Sequence, residues 1–242
     1  MADRLASGEV AGPEFPSRHR WPASVTYGRV SLQPFRYADI AEWDTVRAAN
    51  RSWLSPWEAT TPAGIDPPGY GYWTMVRNFN REARAWRVVP WLVTYVPDGG
   101  GRPVVAGQCT VSGIQLGAAR FASIGYWVDQ QWAGRGIIPT AVALATDYCF
   151  RTMQLHRIEI AIRPENTASL RVVEKLGFRY EGRKPAYLNI AGKWRDHECF
   201  ALHSDEVGPG LWHRLTPPTQ PGKVETTAPH EVVRPAAPAH EN

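Results

Sequence analysis

Between residues 131 and 136 the chain reads Gln131-Trp132-Ala133-Gly134-Arg135-Gly136. The chemistry this stretch suits is the grip of a phosphate. It lies between a strand-like run, Ile124 to Val128, and a helix-like run, Ile137 to Phe150. A glycine-bearing turn that feeds a helix N-terminus points several unpaired backbone N–H groups at one spot. Glycine carries no Cβ, so an anion can come close to the backbone at Gly134 and Gly136. The helix dipole adds roughly half a positive charge at that end. Together these make a nest for a phosphate or pyrophosphate, although an ordinary strand–turn–helix junction has the same outline.

The spacing excludes two commoner phosphate loops, since the chain has neither G-x-x-x-x-G-K-[ST] nor G-x-G-x-x-G. The stretch after the loop is just as patterned. His156 to Ile162 places isoleucine at every second position, a period-2 strand that Pro164 ends. Asn166-Thr167-Ala168-Ser169 is a cluster of helix-capping residues, and Leu170 to Leu176 reads as a short helix. Gly177 suits its C′ position, and Phe178 opens another strand.

The first stretch fits [QR]-x-x-G-x-[GA]. The second is an Asn opening a short helix that ends in Glu174-Lys175-Leu176-Gly177-Phe178. In this order and on these elements, the two resemble the signatures of the GCN5-related N-acetyltransferases, the GNAT family. Trp53-Leu54-Ser55-Pro56-Trp57-Glu58 and Gly192-Lys193-Trp194-Arg195-Asp196-His197 are similar to the RimJ/RimL branch, whose members acetylate the α-amine of ribosomal and other proteins. The resemblance covers roughly residues 28–204.

The elements that must position these motifs are legible in outline. Tyr27 to Phe35 is a first strand, Tyr37 to Asn50 carries a helical apolar stripe, and Tyr72 to Ala85 is a second helix behind a Pro/Gly-rich loop reaching Gly71. Trp86 to Val96 and Pro103 to Val111 are strands joined by a glycine turn. Ala122 to Asp129 precedes the loop, and Pro139 falls in the first turn of the following helix, where no N–H partner is needed. Ala191-Gly192 turns a last hairpin. The resemblance implies an α/β (α+β) fold: a mixed central sheet flanked by helices, with one parallel strand pair, 122–129 and 157–163, splayed apart. It implies that the gap admits the pantetheine arm of acetyl-CoA, met by the backbone of Trp127 and Val128.

Length and composition bound the rest. The 242 residues, 43% of them hydrophobic, can form one sizeable core. Residues 25–207 are expected to form the domain, residues 1–24 a flexible extension, and residues 208–242, rich in proline, a disordered tail. No apolar run is long enough to span a membrane, and the first residues lack a secretory pattern, so a cytoplasmic protein without membrane contact is expected. Cys109, Cys149 and Cys199 are spaced too widely for a metal knot and read as buried thiols; no metal is expected. The net charge of +4 suits an anionic ligand and does not by itself indicate nucleic-acid binding.

By the resemblance, Gln131, Trp132, Ala133, Gly134, Arg135, Gly136 and Ile137 surround the pyrophosphate, with Arg135 also a partner for the ribose phosphate. Asn166 bonds the pantetheine arm through its amide. Amine attack on a thioester needs a neutral amine, an oxyanion donor and relief for the leaving thiolate. The tyrosine that many relatives use as acid, seven residues after the Asn, is Val173 here. Ser169 matches the serine acid of the RimL-like enzymes and so counts as both a cofactor and a catalytic candidate. Their glutamate base has no counterpart before Tyr187-Leu188-Asn189. Glu58 is the remaining carboxylate for base or amine anchor, with Asp196 and Tyr187 as weaker candidates. Of the eleven tryptophans, Trp21, Trp53, Trp57, Trp73, Trp86 and Trp91 fall on the acceptor side, and Trp53 or Trp57 is expected to line a peptide channel. The leading expectation is acetyl transfer from acetyl-CoA to a Ser or Ala N-terminus of a ribosomal or other protein by a monomer or homodimer. A small-molecule amine as acceptor and a non-catalytic acyl-CoA-binding module stay open beside it.

Overall fold

The structure is a computed structural model and describes residues 12–62 and 71–215. In chain order it comprises β1 (Val25–Tyr27), β2 (Val30–Pro34), α1 (Ile40–Ala49), α2 (Arg51–Leu54), α3 (Tyr72–Arg84), β3 (Val88–Tyr95), β4 (Val104–Gln115), β5 (Phe121–Val128), α4 (Ile137–Arg151), β6 (Arg157–Ile162), α5 (Thr167–Leu176), β7 (Arg179–Ile190) and β8 (Lys193–His203). The strands form one sheet in the order β1-β2-β3-β4-β5-β6-β8-β7. Every neighbouring pair is antiparallel except β5 with β6, which is parallel. The expected first strand is two strands, because Gly28 at φ 56° turns the chain back on itself between them.

Alternation along the strands gives the sheet two apolar faces. One face meets α4 and α5, with Trp91, Val111, Ile124 and Ile158 beneath them. The other meets α1 and α3, where Phe35, Trp43, Tyr72, Val76, Leu92 and Val105 cluster. Helix α4 is buried on nearly all sides: of Ile137 to Phe150, all but Pro139 are buried. Cys109, Cys149 and Cys199 are buried and unpaired, and burial pushes the Cys109 thiol up to about 12. Among the described residues no helix is long and apolar enough to cross a membrane.

Both expected domain boundaries move outward. Residues 12–24 are not a loose extension, because His19, Trp21 and Ala23 are buried. The His19 ring meets Tyr148 Oη at 2.7 Å and the Ala83 carbonyl at 3.2 Å, while Trp91 Nε1 donates to the Ala23 carbonyl at 2.9 Å. At the other end, residues 208–215 wrap over α4. Asp147, fully buried on α4, accepts the backbone N–H groups of Leu211 at 2.8 Å and Trp212 at 3.2 Å. Leu211 and Leu215 are buried. These contacts are tertiary, so neither local composition nor periodicity announces them. Residues 1–11, the segment 63–70 within the Pro/Gly-rich loop and the tail 216–242 lie outside the described residues.

A chain ended at residue 207 loses both leucines and strands the Asp147 carboxylate. Its unfolding free energy should fall by about 3–6 kcal/mol in urea titration.

Candidate active site

β5 and β6 pair only at Phe121↔Arg157, Ala122↔Ile158 and Ser123↔Glu159. Beyond that point β5 stays with β4 as far as Val128↔Gly107, and β6 stays with β8 as far as Ile162↔Glu198. The two strands therefore part, and the gap opens into a cavity of about 670 Å³. Its walls include Trp57, Glu58, Tyr126, Asn166, Ser169 and His197.

Which backbone groups face the gap follows from the ladder. Asp129 N–H donates to the Ala106 carbonyl at 2.8 Å, so its backbone points to β4. Alternation turns the Trp127 backbone the same way and those of Tyr126 and Val128 to the gap. The Trp127 carbonyl lies so close to Gly107 that a Cβ there would overlap it. Trp127, expected to offer its backbone to the gap, thus offers it to β4, and Tyr126 takes its place beside Val128. The Val128 carbonyl already accepts from Trp53 Nε1 at 3.1 Å.

The loop after β5 begins as a short 3-10 turn, Gln130–Trp132. The N–H of Gln131 is taken by the Asp129 side chain, that of Trp132 by the Asp129 carbonyl and that of Ala133 by the Gln130 carbonyl. Those groups, expected to meet the pyrophosphate, are engaged within the protein, because the turn that shapes the loop consumes them. From Gly134 to Ile138 the backbone N–H groups have no partner among the described residues, and Pro139 has none to satisfy. Gly134 (φ 80°) and Gly136 (φ 76°) both use the left-handed conformation, and a Cβ at either would meet only open space. That is a concave run of donors on a helix N-terminus, as an oxyanion ligand requires. Arg135, expected to pair with a phosphate, reaches back to Asp98 at 3.2 Å and lies over the Trp132 ring. Asp98 also pairs with Arg29.

The base of the loop is pinned by Asn50, which is buried between two elements. Its Nδ2 donates to Asp129 Oδ1 at 2.9 Å, and its Oδ1 accepts the Gln130 N–H at 2.8 Å. Asn166 caps α5, its Oδ1 accepting the Ser169 N–H at 3.1 Å. Its Nδ2 donates to no described residue. The Ser169 hydroxyl likewise has no partner among the described residues, while its carbonyl accepts a long 3.5 Å bond from Tyr126 Oη. Val173 is buried in the core below. Tyr126 therefore brings a second hydroxyl to the place where the sequence offered only Ser169. Burial pushes that phenol well above its ordinary range, so it stays protonated.

Glu58 sits on a tethered loop. Arg163 Nη1 donates to the Pro56 carbonyl at 2.6 Å and lies over the Trp57 ring, and Thr60 N–H donates to the Asn189 carbonyl at 2.8 Å. Glu58 Oε1 is 2.6 Å from Arg47 Nη1, an ion pair whose geometry lies off the hydrogen-bonding direction. Arg47 in turn lies over Trp127. Trp57 walls the cavity, whereas Trp53 is committed to Val128. Asp196 is a strand-bonding residue that accepts the Ala186 N–H at 2.9 Å. Tyr126 and Arg47 carry no mark of function in the sequence, and His197 is marked only as the end of the stretch Gly192 to His197, with no role attached. Their motif neighbours give no signal of where the sheet register carries them.

An acetyltransferase (GNAT) domain model matches residues 29–179. The [ribosomal protein uS5]-alanine N-acetyltransferase of Escherichia coli (strain K12) is 31% identical over 165 residues, 67% of this chain and 81% of that protein. The probable N-acetyltransferase YjcK of Bacillus subtilis (strain 168) is 44% identical over 95 residues, 38% of this chain, which thus spans about half (52%) of that relative's length. The structure of Mycobacterium smegmatis RimJ in complex with CoA-disulfide superimposes with a TM-score of 0.72 at 37% identity, over 80% of this chain and 93% of that one.

Asn50→Ala leaves the Gln130 N–H and the Asp129 carboxylate without that partner. It should cost about 1–3 kcal/mol in denaturant titration and speed amide exchange at residues 129–133. Asn50→Asp, which sets a second carboxylate against Asp129, should be at least as damaging at neutral pH.

Proposed function

This chain belongs to the GNAT family of N-acetyltransferases, in its RimJ/RimL-type branch, and from that premise we propose that it moves the acetyl group of acetyl-CoA to the N-terminal α-amine of a ribosomal protein. The observation that carries the reading is a single continuous track. A row of free N–H groups, Gly134 to Ile138, leads to a parted strand pair, and the parted pair leads to a cavity holding a carboxylate and two hydroxyls.

Each residue has a role along that track. The N–H row and the α4 N-terminus suit the pyrophosphate. The gap-facing backbone of Tyr126 and Val128, with the Asn166 amide, suits the amide-bearing arm. Arg135 can exchange Asp98 for a phosphate at small cost, since the Arg135–Asp98 pair is exposed to solvent. Glu58 anchors the incoming ammonium against the Trp57 wall. As the neutral amine nitrogen bonds to the carbonyl carbon, loses its extra proton to a base and the C–S bond breaks, the Ser169 hydroxyl gives the leaving thiolate its proton and regains one from solvent. Its position in the first turn of α5, with its carbonyl bonded by Tyr126 Oη, supports that role.

Energetics favour an α-amine over a lysine. An α-amine has a pKa near ~7.8, so a fair fraction is neutral at pH 7, whereas a lysine near ~10.4 costs roughly 3.5 kcal/mol more to deprotonate. A small or Ser/Ala first residue and a cytoplasmic acceptor belong to the same proposal.

Thiol release from acetyl-CoA should occur with Ser- and Ala-starting peptides and not with their N-blocked forms. Ser169→Ala should lower kcat by about 10²–10⁴-fold with the KM for acetyl-CoA little changed. If Tyr126→Phe shows that loss and Ser169→Ala does not, the phenol is the donor. Tight acetyl-CoA binding without release on any peptide would move the assignment to a small-molecule amine or a binding module.

A further inference from the structure

The acceptor amine must lose a proton, and Glu58, already paired with Arg47, is a poor fit for that task. His197 fits it better. The residue lies on β8 one position beyond Glu198, the last β8 residue paired with β6, and so stands at the open end of the parted strands. It is buried, at 3% exposure, yet lines the cavity with Ser169, Asn166 and Glu58. Its Nδ1 lies 3.0 Å from the Arg195 carbonyl. A carbonyl oxygen only accepts, so Nδ1 carries the hydrogen and Nε2 carries the lone pair. Nε2 has no hydrogen-bond partner among the described residues and is not sealed from the cavity. The Tyr187 ring packs edge-on against the imidazole at 5.7 Å and fixes its plane.

We propose that His197 Nε2 accepts the proton of the attacking amine. The inference rests on the acetyl-transfer reading above. As the N–C bond forms, the N–H proton passes to Nε2. As the C–S bond breaks, the thiolate takes its proton from the hydroxyl donor; the imidazolium then releases its proton to solvent, and the hydroxyl donor regains one from solvent. The charged and titratable groups facing the ring are Arg163 from the end of β6, Glu165 beyond it, Asp196 on β8, and Lys184 and Tyr187 on β7, Lys184 being in register with His197. Burial holds the imidazole below its ordinary value of 6.5, and Arg163 acts in the same direction; the Arg195 carbonyl, Asp196 and Glu165 oppose them. The ring is therefore neutral at pH 7 and able to accept. Activity at saturating acceptor should fall as pH drops through that lowered value.

The test uses the full-length protein with acetyl-CoA and an active Ser- or Ala-starting peptide. His197→Gln and His197→Ala should lower kcat by about 10²–10⁴-fold, leave the KM for acetyl-CoA within about twofold, and abolish the acidic limb of the kcat–pH profile. Added imidazole should restore part of the His197→Ala rate. In the intact wild type, ring nitrogen NMR should show Nδ1 protonated and Nε2 bare at pH 7; this measurement holds even if the variants fail to fold. A kcat within about threefold of wild type, a loss without imidazole rescue in a variant that melts normally, or a protonated Nε2 at pH 7 overturns the inference and leaves the acetyl-transfer reading standing. A wild type inactive on every amine overturns both.

Discussion

Two parallel strands that stop pairing after three residues set the terms for the rest of the domain. A sheet seldom leaves an edge inside itself, because an unmet buried N–H or carbonyl costs about 1–3 kcal/mol. Here each strand of the parted pair keeps an unbroken ladder on its outer side, β4 for one and β8 for the other. The cost is confined to the inner edge, and Trp53 covers one carbonyl of it. The sheet behaves as two half-sheets joined at one end. The α4 N-terminus, with its unpartnered N–H groups, lies at the open end of one half, and Tyr126, Ser169 and His197 line the opening between them.

How much of this was legible in the sequence depended on whether the cause was local. Gly134 and Gly136 stand where a left-handed backbone is needed, and no other residue adopts it as readily. Asn166 caps the start of α5 through its side-chain oxygen and Gly177 caps its end through a left-handed backbone, so the helix can be read from its punctuation. The isoleucines of β6 alternate because one face is core. The parallel, splayed pair was implied by the family resemblance that the motifs carry.

What escaped was set by register and by contacts between distant segments. The direction of the Trp127 backbone depends on which residues of β4 it opposes, and no periodicity encodes that pairing. Tyr126 reads in sequence as one more strand aromatic; only the arrival of α5 beside it gives its hydroxyl a neighbour. Arg47 and Glu58 are eleven positions apart on an exposed-looking helix and loop, and are brought together where Trp127 offers a ring to the guanidinium. The segment before β1 looked dispensable because His19 and Trp21 find their partners, Tyr148 and Asn80, more than fifty residues away. The same is true of Leu211 and Asp147.

Helix α4 joins these two segments behind the Gly134–Ile138 loop. Asp147 holds the C-terminal turn, Tyr148 meets His19, and Thr152 just past the helix donates to the Pro16 carbonyl at 2.7 Å. Held from behind by the segments before β1 and after β8, the helix has little freedom to shift its front N–H groups. Ordering a residue costs about 1–2 kcal/mol, and here folding itself meets that cost before any ligand arrives. Such a site gains affinity by not having to rearrange. It also gives up adaptability: a loop held this way has little slack with which to fit a ligand of different length.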